Sequence, residues 1–240
     1  MLVFARLGAA MMLLPGVGEA ETPPMIRLGF AVLLTALVLP GLVGVIPKQP
    51  ESPLILAALL AKEIAIGLWF GWLVRLLLVA FGMAGQIIAG AAGMTNVVQP
   101  DLMLGAGSAA LSRLLGLAAP LLLLASGLWA APIEALFGLY TLLPPGDLLQ
   151  AGDAAQSTIQ AVGESLALAL RLSGPFLLAG LVFHTGLALM GRLVPHLQLH
   201  FASAPGQLLG GIALLGLLAP FLIDRWLDAA RATLAALPGH

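Results

Sequence analysis

The stretch Leu76–Pro100 contains no charged residue, yet its second part is unsuited to a helix. Leu76–Gly90 is rich in Leu, Val, Ala and Gly. It is followed by Gly93-Met94-Thr95-Asn96-Val97-Val98-Gln99-Pro100-Asp101, then Leu102-Met103-Leu104 with further glycines at Gly105 and Gly107. Bilayer hydrocarbon offers a backbone amide no partner. Irregular backbone at membrane depth therefore persists only where protein buries it or where it lines a cavity or pore. The pattern predicts a membrane helix that runs into a loop set inside a channel.

Composition supports the membrane half of that reading. Of 240 residues, 60% are hydrophobic and 9% charged, against roughly 45–50% and about 25% in soluble domains. Too few charges remain to cover an aqueous exterior. The net charge of −1 and the isolated basic residues argue against nucleic acid, which requires a concentrated basic footprint. The absence of cysteine excludes disulfides, thiol catalysis and thiolate metal sites. Arg6, the apolar run Leu7–Leu14 and the small residues Gly18 and Ala20 loosely follow a secretory signal. With one basic residue and Pro15-Gly16 inside the run, retention as a first helix is the expectation.

About 20 apolar residues cross the hydrocarbon as a helix. Uncharged or nearly uncharged runs of that length occupy Leu28–Pro47, Leu54–Gly90, Leu114–Ile133, Leu172–Gly191 and Leu193–Ile223. Together with the amino-terminal run they predict an all-α, polytopic helical membrane protein. It has about six hydrophobic helices, some of them broken, in a single membrane domain over residues 1–240 with a re-entrant, plug-like loop. The connections are polar or proline-rich: Pro47–Pro53, then Leu143-Pro144-Pro145-Gly146-Asp147 with the polar stretch Gly152–Ser157, then Val194-Pro195-His196. Gly67-xxx-Gly71 and Gly206-xxx-Gly210 have the small-xxx-small spacing that lets helix backbones approach. Basic residues fall on almost every connection, so the positive-inside rule fixes no orientation.

The candidate polar positions are Glu63, Arg75, Gln86, Arg113 and Arg192. A charge at mid-membrane costs about 2.5–3.5 kcal/mol on insertion scales, so it pairs or faces water. Lys62 and Glu63 admit two readings: a buried polar site on a transport path, or the favoured one, a helix entrance whose side chains reach for the interface. His196 and His200 stand at i,i+4, but Leu197 occupies the place where a metalloprotease needs Glu. No Gly-x-Ser-x-Gly elbow, Walker loop or dinucleotide fingerprint occurs. No catalytic, cofactor-binding or metal-ligating residues are expected, and a transport process would draw its energy from a partner or an ion gradient.

Taken in order, several segments resemble the FliR family of bacterial flagellar type III export gates, which includes the SctT proteins of virulence secretion. They are Val3-Phe4-Ala5-Arg6 with Leu14-Pro15, Pro24–Gly29, Lys62–Leu68, Ala84-Gly85-Gln86-Ile87-Ile88-Ala89 through Gly93-Met94, Val98-Gln99-Pro100, Tyr140–Gly146 and Phe183–Gln198. Gln86, Gln99 and His184 stand where the family usually has Glu, Asp and Asn. The proline-glycine turn at 144–146 is closer to the flagellar branch. The resemblance implies a non-enzymatic gate subunit in the inner membrane at the flagellar basal body. It implies assembly with FliP-like and FliQ-like subunits beside FlhB-like and FlhA-like proteins, and passage of unfolded export substrates. It also implies that Gly93–Gly107 plugs the channel, with Met94, Val97, Val98, Leu102, Met103 and Leu104 as apolar stoppers. The alternatives are a virulence-type gate subunit and a small-solute transporter. Against the latter, no internal repeat with a polar midplane site is visible.

Overall fold

A computed structural model describes residues 1–47, 52–94, 110–193 and 199–240. Among these the chain forms seven helices: α1 (Leu2–Met11), α2 (Pro24–Leu42), α3 (Pro53–Ala91), α4 (Ala110–Ala125), α5 (Ala130–Leu142), α6 (Ala151–Leu193) and α7 (Leu199–Ala235). Four are long and apolar enough to cross a membrane, or five if the α4–α5 pair is one span. The protein is therefore a polytopic helical membrane protein. At 1.5 Å per residue the 39 residues of α3 and the 43 of α6 run to about 58 and 65 Å. Each is about twice the thickness of the ~30 Å hydrocarbon layer.

Two boundaries differ from the sequence expectation. The run Leu114–Ile133 is not one helix: it breaks between Ala125 and Ala130 and turns by 75°. Pro120 stays inside α4. The break lies instead at Gly127, whose φ of 77° is open to glycine but costs other residues about 1–2 kcal/mol. The polar stretch Gly152–Ser157 is the start of α6 rather than part of a connection. The hydroxyls of Ser157 and Thr158 donate back to the Ala154 carbonyl, so the helix itself satisfies them.

The chain forms two compact units. The first comprises Met1–Leu78, Pro120–Glu164 and Ala230–His240. Its core includes Leu7, Ile66, Phe70, Val74, Leu123, Leu136, Leu139 and Leu234, all nearly inaccessible. In α1 the buried positions Val3, Arg6, Leu7 and Ala10 follow the three-and-four spacing of one helix face. That face meets α3 at Gly67 and Gly71, where an added Cβ would run into the backbone of Arg6 and of Ala10 respectively. By contrast α2 buries little beyond Ala31 and Leu34 and leaves Leu33, Leu37 and Leu39 exposed.

The second unit comprises Val79–Ala119 and Ser165–Ala229. Phe81, Ile88, Phe176, Leu222 and Trp226 form its core, with Phe81 and Trp226 stacked at 5.1 Å. Here α3 lies against α4 at Gly85, whose added Cβ would come within 2.8 Å of Ser112 Cα. The Ser112 hydroxyl donates to the Gly82 carbonyl at 2.8 Å across the same contact.

Candidate functional site

In the first unit, one arginine joins three segments. Arg6 Nε donates to Glu63 Oε2 at 2.7 Å, and neither side chain has any accessible surface. Arg6 Nη1 donates to the Leu143 carbonyl at 2.7 Å, and the Gly146 amide donates to Glu63 Oε1 at 2.8 Å. The guanidinium carbon lies 4.4 Å from the centroid of the Tyr140 ring, within cation–π range, while the Tyr140 hydroxyl donates to the Val3 carbonyl. Arg6 Nη2 is buried with no hydrogen-bond partner among the described residues. Glu63 thus holds the proline-glycine turn after α5 through an amide at a glycine with φ of 97°.

A buried charge pair repays its desolvation only where further hydrogen bonds complete it. Here a carbonyl, an amide and a ring face supply that completion. With no accessible surface, the pair fastens α1, α3 and the turn to one another. This corrects the reading of Glu63 as an interfacial side chain. The signal that would have found its partner was already in the sequence: Arg6 is the lone charge of one apolar helix and Glu63 requires an opposite charge. Separation by 57 residues hid the pairing.

Arg75 is also paired, but outside this cluster. Its two terminal nitrogens reach Glu19 Oε1 at 2.5 Å and Oε2 at 3.0 Å. Arg27 donates to the Glu19 carbonyl, so one acidic residue between α1 and α2 collects two cations. Lys62, half-buried, takes no part in either arrangement.

In the second unit the long helix α3 ends at a built cap. Gly93 has φ of 69°, the left-handed conformation with which helices commonly stop. Gln207 of α7 donates from its amide to the Ala91 carbonyl at 3.2 Å and lies 3.3 Å from His184 Nε2. Beside this end a cavity of about 260 Å³ is lined by Ala91, Ala92, Phe176, Gly180, Phe183, Gln207 and Gly211, among others. Gly180 meets the last residue of α3, Ala91, and Gly211 meets Ala92 in the turn after it. Gly206 and Gly210 also line the cavity, but a Cβ on either would touch nothing among the described residues. Sequence spacing singled out Gly206 and Gly210, whereas among the described residues the close approaches to another segment's backbone in this unit fall on Gly85, Gly180 and Gly211.

Gln86, Arg113 and Arg192 sit on exposed faces of α3, α4 and α6. Of the expected plug, Gly93 and Met94 belong to the turn after α3. Thr95, Asn96, Val97, Val98, Gln99, Pro100, Asp101, Leu102, Met103, Leu104, Gly105 and Gly107 lie outside the described residues, as does His196.

The sequence as a whole has relatives. A family model described as bacterial export proteins, family 1, matches residues 1–233. The flagellar biosynthetic protein FliR of Caulobacter vibrioides is 30% identical over 233 residues, which cover 97% of this chain and 93% of that protein.

Proposed function

Because the chain belongs to the bacterial export proteins, family 1, we propose that it is a non-enzymatic pore subunit of the flagellar type III protein export gate. It would conduct unfolded flagellar substrates across the inner membrane at the basal body. The observation that carries this reading is the 30% identity to a flagellar biosynthetic protein along nearly the full length of both chains.

The structure adds physical support for assembly. Helix α2 and the apolar part of α7 keep most of their surface outside the packed core. Among the described residues, nothing lies within 4 Å of where a Cβ would stand at Gly206 or Gly210 of α7, and close helix approach in lipid uses such glycine strips. FliP-like and FliQ-like helices would cover these surfaces, with FlhB-like and FlhA-like proteins adjoining the gate. The segment Gly93–Gly107 would close the channel by apolar contact, entering it from the capped end of α3.

The test is co-expression and purification in mild detergent. A complex in which the chain is stable together with FliP-like and FliQ-like subunits, and restores motility to a strain lacking its own copy, is the expected result. A stable monomer that binds a small solute and ignores those subunits would overturn it.

A further inference from the structure

We propose that the crevice between α6 and α7 holds the headgroup of an anionic phospholipid, with Arg171 and Arg225 as its phosphate-binding side chains. The crevice encloses about 470 Å³ and is lined by Leu168, Arg171 and Leu172 from α6 and by Phe221, Arg225, Asp228 and Ala229 from α7. Helical spacing explains the set. Leu222 and Trp226 turn into the core at i,i+4, which brings Phe221, Arg225 and Asp228 onto the adjoining face. The Arg225 guanidinium lies 5.6 Å from the Phe221 ring centroid.

Charge and depth agree on the ligand. Two guanidinium groups against the one Asp228 carboxylate make the crevice lining net positive, which suits the anionic phosphodiester. Arginine's planar fork suits its oxygens. Arg171 is the last charge before the uncharged run Leu172–Gly191, and Asp224-Arg225 are the first charges after the run Leu193–Ile223. Both arginines therefore mark the edge of an apolar span, the level at which lipid phosphates lie. Leu168, Leu172 and Phe221 offer apolar wall that a lipid can cover and a free phosphate ion cannot.

The test uses the full-length chain, with whatever subunits co-purify with it, in a non-ionic detergent. Phosphatidylglycerol, phosphatidylcholine or inorganic phosphate is added, and bound lipid is counted by native mass spectrometry alongside thermal melting. Phosphatidylglycerol is expected to bind in preference and to raise the melting temperature. Arg171→Gln and Arg225→Gln should each weaken it about fivefold and the pair about 25-fold. The Arg171→Lys/Arg225→Lys variant should keep the preference, and Lys62→Gln, in the other unit, should leave it unchanged. Equal binding of phosphatidylcholine, full protection by inorganic phosphate alone, or a preference that survives in the Gln variants would each overturn the proposal. If the double Gln variant fails to fold, the two single variants decide in its place.

Discussion

Trp226 of α7 lies stacked on Phe81 of α3, ring centroids 5.1 Å apart and planes 27° from parallel, and Trp226 has no accessible surface. The contact ties the second half of α3 to the end of the last apolar span. Replacing Trp226 with Ala is expected to cost about 3–5 kcal/mol, the range for removing a buried aromatic, and Trp226→Phe should recover most of it. Denaturant unfolding in micelles, followed by helical circular dichroism, measures both.

The Arg6–Glu63 pair should be intolerant of half-removal. Arg6→Met or Glu63→Gln alone leaves a buried partner uncompensated, with an expected loss of about 3–5 kcal/mol. The double variant Arg6→Met/Glu63→Leu should be less damaged than either single one, because no charge then stays buried. A double-mutant cycle on thermal unfolding reads this coupling directly.

Gly67 and Gly210 look alike in sequence and should behave in opposite ways. Gly67→Ala drives a Cβ into the Arg6 carbonyl and is expected to destabilise by about 1–3 kcal/mol. At Gly210 the space is open among the described residues, so Gly210→Leu should leave unfolding unchanged or slightly improved. If the proposed assembly uses that strip, the same variant fails to pull down its partner subunits.

The turn after α3 separates two costs. Gly93→Ala meets the strain of a left-handed φ, about 1–2 kcal/mol, and also a clash with the Gln207 side chain at 2.8 Å. Adding Gln207→Ala should relieve the clash but not the strain. The double variant is therefore expected to recover part of the loss, as read by unfolding midpoints.

Deleting residues within Gly93–Gly107 tests the gate directly. In vesicles holding the assembled complex, the deletion should raise the conductance to ions and small solutes while the complex still forms. Unchanged conductance would remove the channel-plug reading.

Charge-free runs revealed the helices well, because in lipid a helix is the simplest way to satisfy every amide. The beginnings of α2 and α3 at Pro24 and Pro53 follow from proline's fitness for a first helical turn. What stayed hidden was governed by contacts between distant residues. Pro120 drew attention, yet the chain turns at Gly127; a helix can carry a proline when neighbours fill the gap, but a left-handed residue ends it. The polar start of α6 looked like a connection because hydropathy reports lipid exposure, and that segment is helical without being apolar. Arg6 read as a flanking charge until its partner was seen. Among glycines at helical spacing, sequence cannot say which face another backbone, since every fourth residue repeats the same face.

The enclosed Arg6–Glu63 pair also sets a calendar for the chain's birth. Arg6 leaves the ribosome 57 residues before the carboxylate that neutralises it, an interval of roughly 3–11 s at bacterial-type elongation rates of about 5–20 residues per second. During that interval the first helix carries a cation without its buried partner, and lipid penalises its entry; cross-links between α1 and α3 in nascent chains of increasing length are expected only once Glu63 has emerged. Burial of α1 is thus expected to wait on α3, which follows it by some forty residues.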